Sequence, residues 1–348
     1  MSTQPRLLSI ATAVPPFVMR REDVVERARR LFAQRADCFD RMLPIYANSG
    51  IETRHSCVPP EWYEAPSGWA GRNRLYLDNA LTLLRTAAES CLRRAGVGAD
   101  AVDCVVCVST SGLATPSLEA RLMERMALRP DVLRLPIFGL GCAGGALGLA
   151  RAGAMARAQP GSLVLLLVVE LCGLTFRPDD LSNANMVATA LFGDGAAAAL
   201  VSTEGTGPRL SAWGEHTWPG SLDVMGWRIE DDGFGVLFSR DIPALVRERF
   251  RAATDAFLGR HGLELADIDG YSLHPGGAKV VSALEKALSL PTATLEDERE
   301  VLRRFGNMSA ATLLFVLERG LAGAQPRRRL LAALGPGFSV GFLLLEAP

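Results

Sequence analysis

The stretch Phe138-Gly-Leu-Gly-Cys-Ala-Gly-Gly-Ala-Leu-Gly-Leu-Ala150 and its fainter echo Gly306-Asn-Met-Ser-Ala-Ala311 decide how this chain is read. Each sets one chemically useful side chain, Cys142 or Asn307, at the mouth of an apolar run with helical periodicity. Two further pairs of segments are alike, and the first keeps the offset of Cys142 and Asn307, 166 residues against 165. Gly98-Ala-Asp-Ala-Val-Asp-Cys-Val-Val-Cys-Val-Ser-Thr-Ser-Gly112 and Glu264-Leu-Ala-Asp-Ile-Asp-Gly-Tyr-Ser-Leu-His-Pro-Gly-Gly277 both read as an acidic turn, a strand and a small-residue loop. Leu191-Phe-Gly-Asp-Gly-Ala-Ala-Ala198 and Leu334-Gly-Pro-Gly-Phe-Ser-Val340 are glycine-rich turns before a last strand. A repeat of this kind means a duplicated unit. Two halves related by a pseudo-two-fold would bring Cys142 and Asn307 to matching helix N-termini on one crevice, with His274 at a strand end beside them.

Around these anchors β-rich runs alternate with helical ones. Strands are expected at 7–11, 102–109, 163–170, 196–202, 235–238, 270–273, 330–333 and 340–345, and helices at 21–33, 76–95, 117–126, 143–158, 242–259, 279–288 and 308–320. Mostly apolar strands alternating with helices give an α/β fold with buried sheets. The repeat divides the chain into an N-terminal half, 1–205, carrying the cysteine, and a C-terminal half, 206–348, carrying the histidine and asparagine.

Composition removes several classes of function. With 348 residues, 49% hydrophobic and 22% charged, the chain can bury a large core and is not disordered. A net charge of −1 offers no general attraction to nucleic acid or an acidic membrane. The longest apolar run, 163–169, is far short of a membrane span and is closed by Glu170. The N-terminus has no signal-peptide pattern, and seven scattered cysteines do not form a disulfide framework. A soluble, reduced, cytoplasmic protein is expected. Cys104 and Cys107 form a CxxC inside an apolar strand, where residues three apart face opposite sides, so no metal is expected there.

The chemistry follows from the side chains. Backbone N–H groups and the positive end of a helix dipole would favour thiolate over thiol at Cys142. Gly141, Gly144 and Gly145 would clear a path for a substrate carbonyl. Without other support such a cysteine would read as ordinary helix packing. His274, after the strand Tyr271-Ser-Leu and before the rigid Pro275-Gly-Gly277, is the best placed of four histidines to act as proton acceptor or counter-charge. Asn307 cannot titrate but can donate to an oxygen on which charge develops, and it can cap its helix as well.

Gly141-Cys142-Ala-Gly-Gly145, Leu191-Phe192-Gly-Asp-Gly195, His274-Pro-Gly-Gly277, Gly306-Asn307-Met-Ser309 and Gly335-Pro336-Gly337 together resemble the signature set of type III polyketide synthases, the chalcone-synthase-like branch of the thiolase superfamily. The resemblance runs in order through nearly the whole chain. It implies a thiolase-like five-layered αβαβα fold, a homodimer, and iterative decarboxylative condensation of malonyl-CoA onto an acyl-CoA starter, with CoA thioesters as substrates and no cofactor. Carried over residue by residue, it makes Cys142 the acylated nucleophile and gives His274 and Asn307 the malonyl thioester and its enolate. Phe192 becomes an aromatic gate between CoA tunnel and cavity, and Thr110, Cys172, Thr175 and Ser309 become cavity-lining residues.

Departures from the plant pattern point to the substrate. Val236 falls where plant enzymes carry a second gating phenylalanine. The segment Glu170–Phe176 looks more like bacterial enzymes that make alkylresorcinols and alkylpyrones. An aliphatic gate and apolar lining would suit a fatty acyl starter, at about 0.8 kcal/mol per buried CH₂. Arg41 and Arg54 are candidates for the CoA entrance. The alternatives are a tetrahydroxynaphthalene-type synthase using malonyl-CoA alone, a ketoacyl-carrier-protein synthase III-like enzyme on the same fold, and an inert paralogue serving as a scaffold. The intact Cys142, His274 and Asn307 argue against the last.

Overall fold

A computed structural model describes residues 4–65, 68–323 and 325–348. The first half contributes β1 (Arg6–Ala13), β2 (Phe17–Arg20), α1 (Arg21–Leu31), α2 (Ala36–Ala47), β3 (Thr53–Ser56), α3 (Trp69–Ala95), β4 (Cys104–Val108), α4 (Leu118–Leu122), β5 (Leu133–Ile137), α5 (Gly144–Ala158), β6 (Val164–Leu171), α6 (Asn183–Leu191) and β7 (Asp194–Ser202). The second contributes β8 (Arg209–Thr217), β9 (Met225–Glu230), β10 (Gly233–Phe238), α7 (Ile242–Gly259), β11 (Gly270–Leu273), α8 (Ala278–Ala287), α9 (Glu296–Phe305), α10 (Ala310–Leu321), β12 (Arg328–Gly335) and β13 (Ser339–Glu346).

Nine strands follow the order β5-β4-β6-β7-β1-β8-β13-β12-β11. The central β1–β8 contact is a single residue pair, Arg6 with Arg209, so two sheets meet there at a corner. In the first sheet β1/β7 and β7/β6 are antiparallel, while β6/β4 and β4/β5 are parallel. In the second, β8/β13 and β13/β12 are antiparallel and β12/β11 is parallel. Order and sense match strand for strand, with β5 alone lacking a counterpart among the described residues. The sequence repeat is therefore a repeat of topology.

Three apolar cores separate five layers, as expected. Leu84 and Ala88 of α3 cover the outer face of the first sheet through Val105, Leu167 and Ala198. Leu149 of α5 and Leu314 of α10 fill the space between the sheets, against Val106, Leu166, Leu331 and Leu343. Phe250 and Phe257 of α7 with Val281 and Leu284 of α8 cover the second sheet through Leu330 and Phe342. The alternation of strand side chains explains the CxxC: Cys107 points into the α3 core and Cys104 into the middle one. No helix among the described residues is long and apolar enough to cross a membrane.

The expected elements are present, with α3 beginning earlier, at Trp69, and α4 ending at Leu122. Elements not expected include β2, β3, β5, β8, β9, α2, α6 and α9. They are short, polar or half-exposed: β5 carries Arg134 and Pro136 on an outer edge, and α9 is mostly charged. Acidic residues in the first turn of α9 and Arg303 and Arg304 in its last complement the helix dipole, the one sequence signal that could have found it.

Candidate active site

The site lies where α5 and α10 begin. Cys142 sits in a 3₁₀ turn, Gly141–Ala143, leading into α5. Gly141 has φ +47°, and a Cβ there would lie 2.6 Å from Pro336 Cδ, so the glycine-rich turn of the second half seats directly against the Cys142 loop. A Cβ on Gly145 would lie 2.4 Å from the Ala310 carbonyl oxygen, and one on Gly144 2.7 Å from Val108. Gly145 thus admits the backbone of α10 and Gly144 the side chains of Val108 and Ala310, so both are taken up by packing rather than by a path for substrate. Their absence of side chains lets the two helix starts meet.

That approach brings the expected residues together. Ser309 and Asn307 stand beside the Cys142 thiol and draw its pKa down. Asn307 Oδ1 accepts from the Ser309 N–H at 2.9 Å, and its Nδ2 donates to the Gly276 carbonyl at 3.3 Å. The amide is therefore fixed just before α10, next to the sulfur. Ser309 is held at φ 48°, an uncommon conformation for a non-glycine residue at the point of reaction. His274 follows the last residue of β11, donating its backbone N–H to the Ala332 carbonyl at 2.9 Å. Its ring is buried with both nitrogens unpartnered.

Cys142, Cys172, Phe192, Val236, His274, Asn307 and Ser309 line one cavity. A second cavity lies behind Cys172 and Phe192, which belong to both; Thr175 lines only this second one of the two, with Val24, Ala28 and Leu31 of α1. Phe192 thus stands in a wall between two chambers. Thr110 lines neither cavity, against expectation. Its hydroxyl accepts the Gly141 N–H at 3.2 Å, and its own N–H donates to Glu170 Oε2 at 3.0 Å, so it holds the Cys142 loop from behind.

The sequence gives Glu170 no role of its own in the site. A charged residue closing an all-apolar strand was the available signal. It is fully buried, with Oε1 unpartnered, and burial pushes its carboxyl up to about 7. Burial also pushes the Cys142 thiol up to about 12, with Ser309 and Asn307 pulling it down and Glu170 opposing them. His274 is pushed down to about 4 by burial alone. Burial thus opposes the thiolate that the helix start is expected to favour.

Two further expectations change. Val236 lines the cavity, but its cross-strand partner in the β9–β10 hairpin is Trp227, whose ring packs edge-on against Phe192 with centroids 6.0 Å apart. The aromatic bulk missing at 236 is supplied from the neighbouring strand, and the gate is not simply aliphatic. Arg54 is buried rather than at a surface entrance, its guanidinium donating to carbonyls at the end of α6. Arg41 is exposed and donates to the Asp37 carbonyl.

Residues 2–205 match the family model described as "Chalcone and stilbene synthases, N-terminal domain", and 211–347 match the corresponding C-terminal domain. The chain belongs to the chalcone and stilbene synthase family. It is a type III polyketide synthase and hence a transferase. It is 39% identical to a putative chalcone synthase of Bacillus subtilis strain 168, over 98% of each chain. It is 38% identical to a 1,3,6,8-tetrahydroxynaphthalene synthase of Streptomyces peucetius subsp. caesius, over 97% of this chain and 92% of that one. The crystal structure of the tetrahydroxynaphthalene synthase of Streptomyces coelicolor A3(2) superposes with a TM-score of 0.92 at 30% identity, covering 98% of this chain and 99% of that one. The thiolase-like fold expected from the motifs is the fold of this family.

Proposed function

We propose that this synthase condenses malonyl-CoA repeatedly onto a fatty acyl-CoA starter and cyclises the product to an alkylpyrone or alkylresorcinol, with Cys142, His274 and Asn307 as its catalytic residues. One observation carries the assignment of residues: three side chains from two halves of the chain converge on a single cavity, two of them at the starts of pseudo-equivalent helices. Burial disfavours either charge taken alone, so the thiolate forms by proton transfer from Cys142 to His274, which keeps the dry site neutral overall. The Cys142 sulfur attacks the starter carbonyl, and the CoA thiolate leaves and takes the proton from His274. Malonyl-CoA then loses CO₂. Asn307 Nδ2–H and the His274 ring hold the thioester oxygen on which enolate charge develops. The enolate carbon attacks the acyl-cysteine, and the Cys142 thiolate departs.

The second cavity supports the fatty starter. Val24, Ala28 and Leu31 of α1 and Phe176 give it an apolar wall, with Arg27 and Arg54 as the charged residues on its lining, and it shares Cys172 and Phe192 with the cavity of Cys142. A second reading, malonyl-CoA as both starter and extender, is favoured by the relatives named tetrahydroxynaphthalene synthase and by Trp227 beside Phe192. Incubating the protein with malonyl-CoA alone and with acyl-CoA starters of graded length, then identifying products by mass, separates the two. Products lacking a fatty tail under all conditions would end the first reading.

We further propose a homodimer, built on β5. This outer strand has no second neighbour among the described residues, and Leu133, Leu113 and Phe138 stand exposed at 43%, 43% and 54%. Antiparallel pairing with a second copy would cover the edge. A Leu133→Lys variant that remains dimeric by light scattering would refute this. The proposed compartment is the cytoplasm, where seven free cysteines stay reduced.

A further inference from the structure

The short strand β3 ties together the ends of α6 and α9, which carry Phe192 and Asn307 to the cavity. Arg54, 5% exposed, sends Nη1 to the carbonyls of Thr189 (2.6 Å) and Phe192 (3.1 Å) and Nη2 to that of Ala190 (2.9 Å). These are end-of-helix carbonyls of α6, the kind left without intrahelical partners, and a planar guanidinium fork can span several of them at once. On the same segment, the Glu52 N–H donates to the Arg303 carbonyl and Thr53 Oγ1 to that of Arg304, both at 2.8 Å. Those carbonyls end α9, whose next residues are Gly306 and Asn307. The two helix ends are then tied to each other: the Asn307 N–H donates to the Leu191 carbonyl at 2.8 Å, and the Gly193 N–H donates to the Asn307 carbonyl at 2.9 Å, pairing Phe192 with Asn307 as a one-residue parallel bridge. Arg54 Cβ lies 3.5 Å and 3.6 Å from where a Cβ on Gly193 or Gly306 would sit, so its stem packs against both glycines of the bridge.

We propose that Arg54 is a positioning residue that sets Phe192 and Asn307 relative to each other, and so couples the wall between the two chambers to the oxyanion donor. Arg54 makes no contact with the Cys142 thiol; it acts through the backbone of α6 and the bridge. The inference rests on the reading of Asn307 as the donor of the condensation step. A site that depends on donors held to within about an ångström loses on the order of ten- to a hundredfold in rate when its support shifts by that much.

Arg54→Lys keeps a cation but cannot reach three carbonyls. Three readouts are made on the full-length variant: the rate of Cys142 acylation by the starter, the rate of condensation with malonyl-CoA, and the ranking of acyl-CoA lengths. The expected result is acylation within about threefold of wild type, condensation reduced on the order of tenfold or more, and a flatter ranking of starters. Proportional loss of acylation and condensation with an unchanged ranking would overturn the proposal, since general loosening would do that. So would a folded variant indistinguishable from wild type. If Arg54→Lys does not fold, Thr53→Val removes one tie to α9 alone. It should slow condensation several-fold without altering acylation, and no change in condensation would then overturn the proposal. Asn307→Ala serves as the parallel control. If it leaves condensation intact, the assignment of Asn307 fails; if it abolishes condensation while Arg54→Lys has no effect, only the positioning role fails.

Discussion

Glu298 provides a sharp test of how burial controls this region. It lies on α9, 2% exposed, and its Oε1 accepts the N–H of Leu273 at 2.8 Å, one residue before His274. Burial pushes its carboxyl from an ordinary 4.5 up to about 8, with Asp297 adding to the rise and the Leu273 N–H and Arg329 opposing it. The folded-state value is raised, so the folded protein binds a proton that the unfolded chain has already released. Stability from this group is then fully present below about pH 4.5 and is lost as pH rises toward about 8. At ~1.4 kcal/mol per pH unit, the gap between 4.5 and about 8 amounts to on the order of 5 kcal/mol above pH 8. Glu298→Gln replaces the acid with a neutral group that can still accept from Leu273. At pH 5.5, one unit above the ordinary value, the glutamine variant should lead by only about 1.4 kcal/mol in urea unfolding. At pH 9 the glutamine variant should be the more stable by several kcal/mol, because Glu170 and Asp194 titrate identically in both and cancel. A variant no better relative to wild type at pH 9 than at pH 5.5 would refute the claim that Glu298 is held protonated by burial.

Cys142→Ala should fold and melt close to wild type yet form no acyl-enzyme and no product, checked by intact mass after incubation with starter; measurable turnover would remove the covalent step. Asn307→Ala should load starter normally while condensing on the order of a hundredfold more slowly, and equal losses in both steps would reduce Asn307 to a helix cap. Trp227→Ala should move the kcat/KM optimum toward longer acyl chains, each added methylene that finds new apolar room being favoured by ~0.8 kcal/mol, or about fourfold. An unchanged length profile would mean that Trp227 does not bound the passage.

The duplication was legible because its signals are local: an acidic turn before a strand, a glycine-rich turn, a polar residue opening an apolar helix. Cys142 and Asn307 followed because each opens the same helix of such a unit, and His274 because it ends the strand beside them. What escaped the sequence was pairwise geometry. Nothing in Gly144-Gly145 says whether the space beside them takes a substrate or Ala310, and only the fold decides. The same holds for Trp227, whose relation to Val236 is a strand register. The state of the thiol escaped for another reason: a helix dipole is worth about 0.3–1 kcal/mol at most sites, burial opposes it at Cys142, and burial depth is not written in the local sequence.

The middle layer has a consequence for how this molecule comes to be active. Val106, Leu149 and Leu166 from one half and Leu314, Leu331 and Leu343 from the other share a single apolar interior, and neither half closes it alone. A chain with only one half formed would leave a bare oily surface where its sibling belongs, and its sulfur and amide would be strangers. Enzymatic turnover is thus a reporter of the final docking event rather than of secondary structure. During refolding from urea, catalysis should return later than the helical signal.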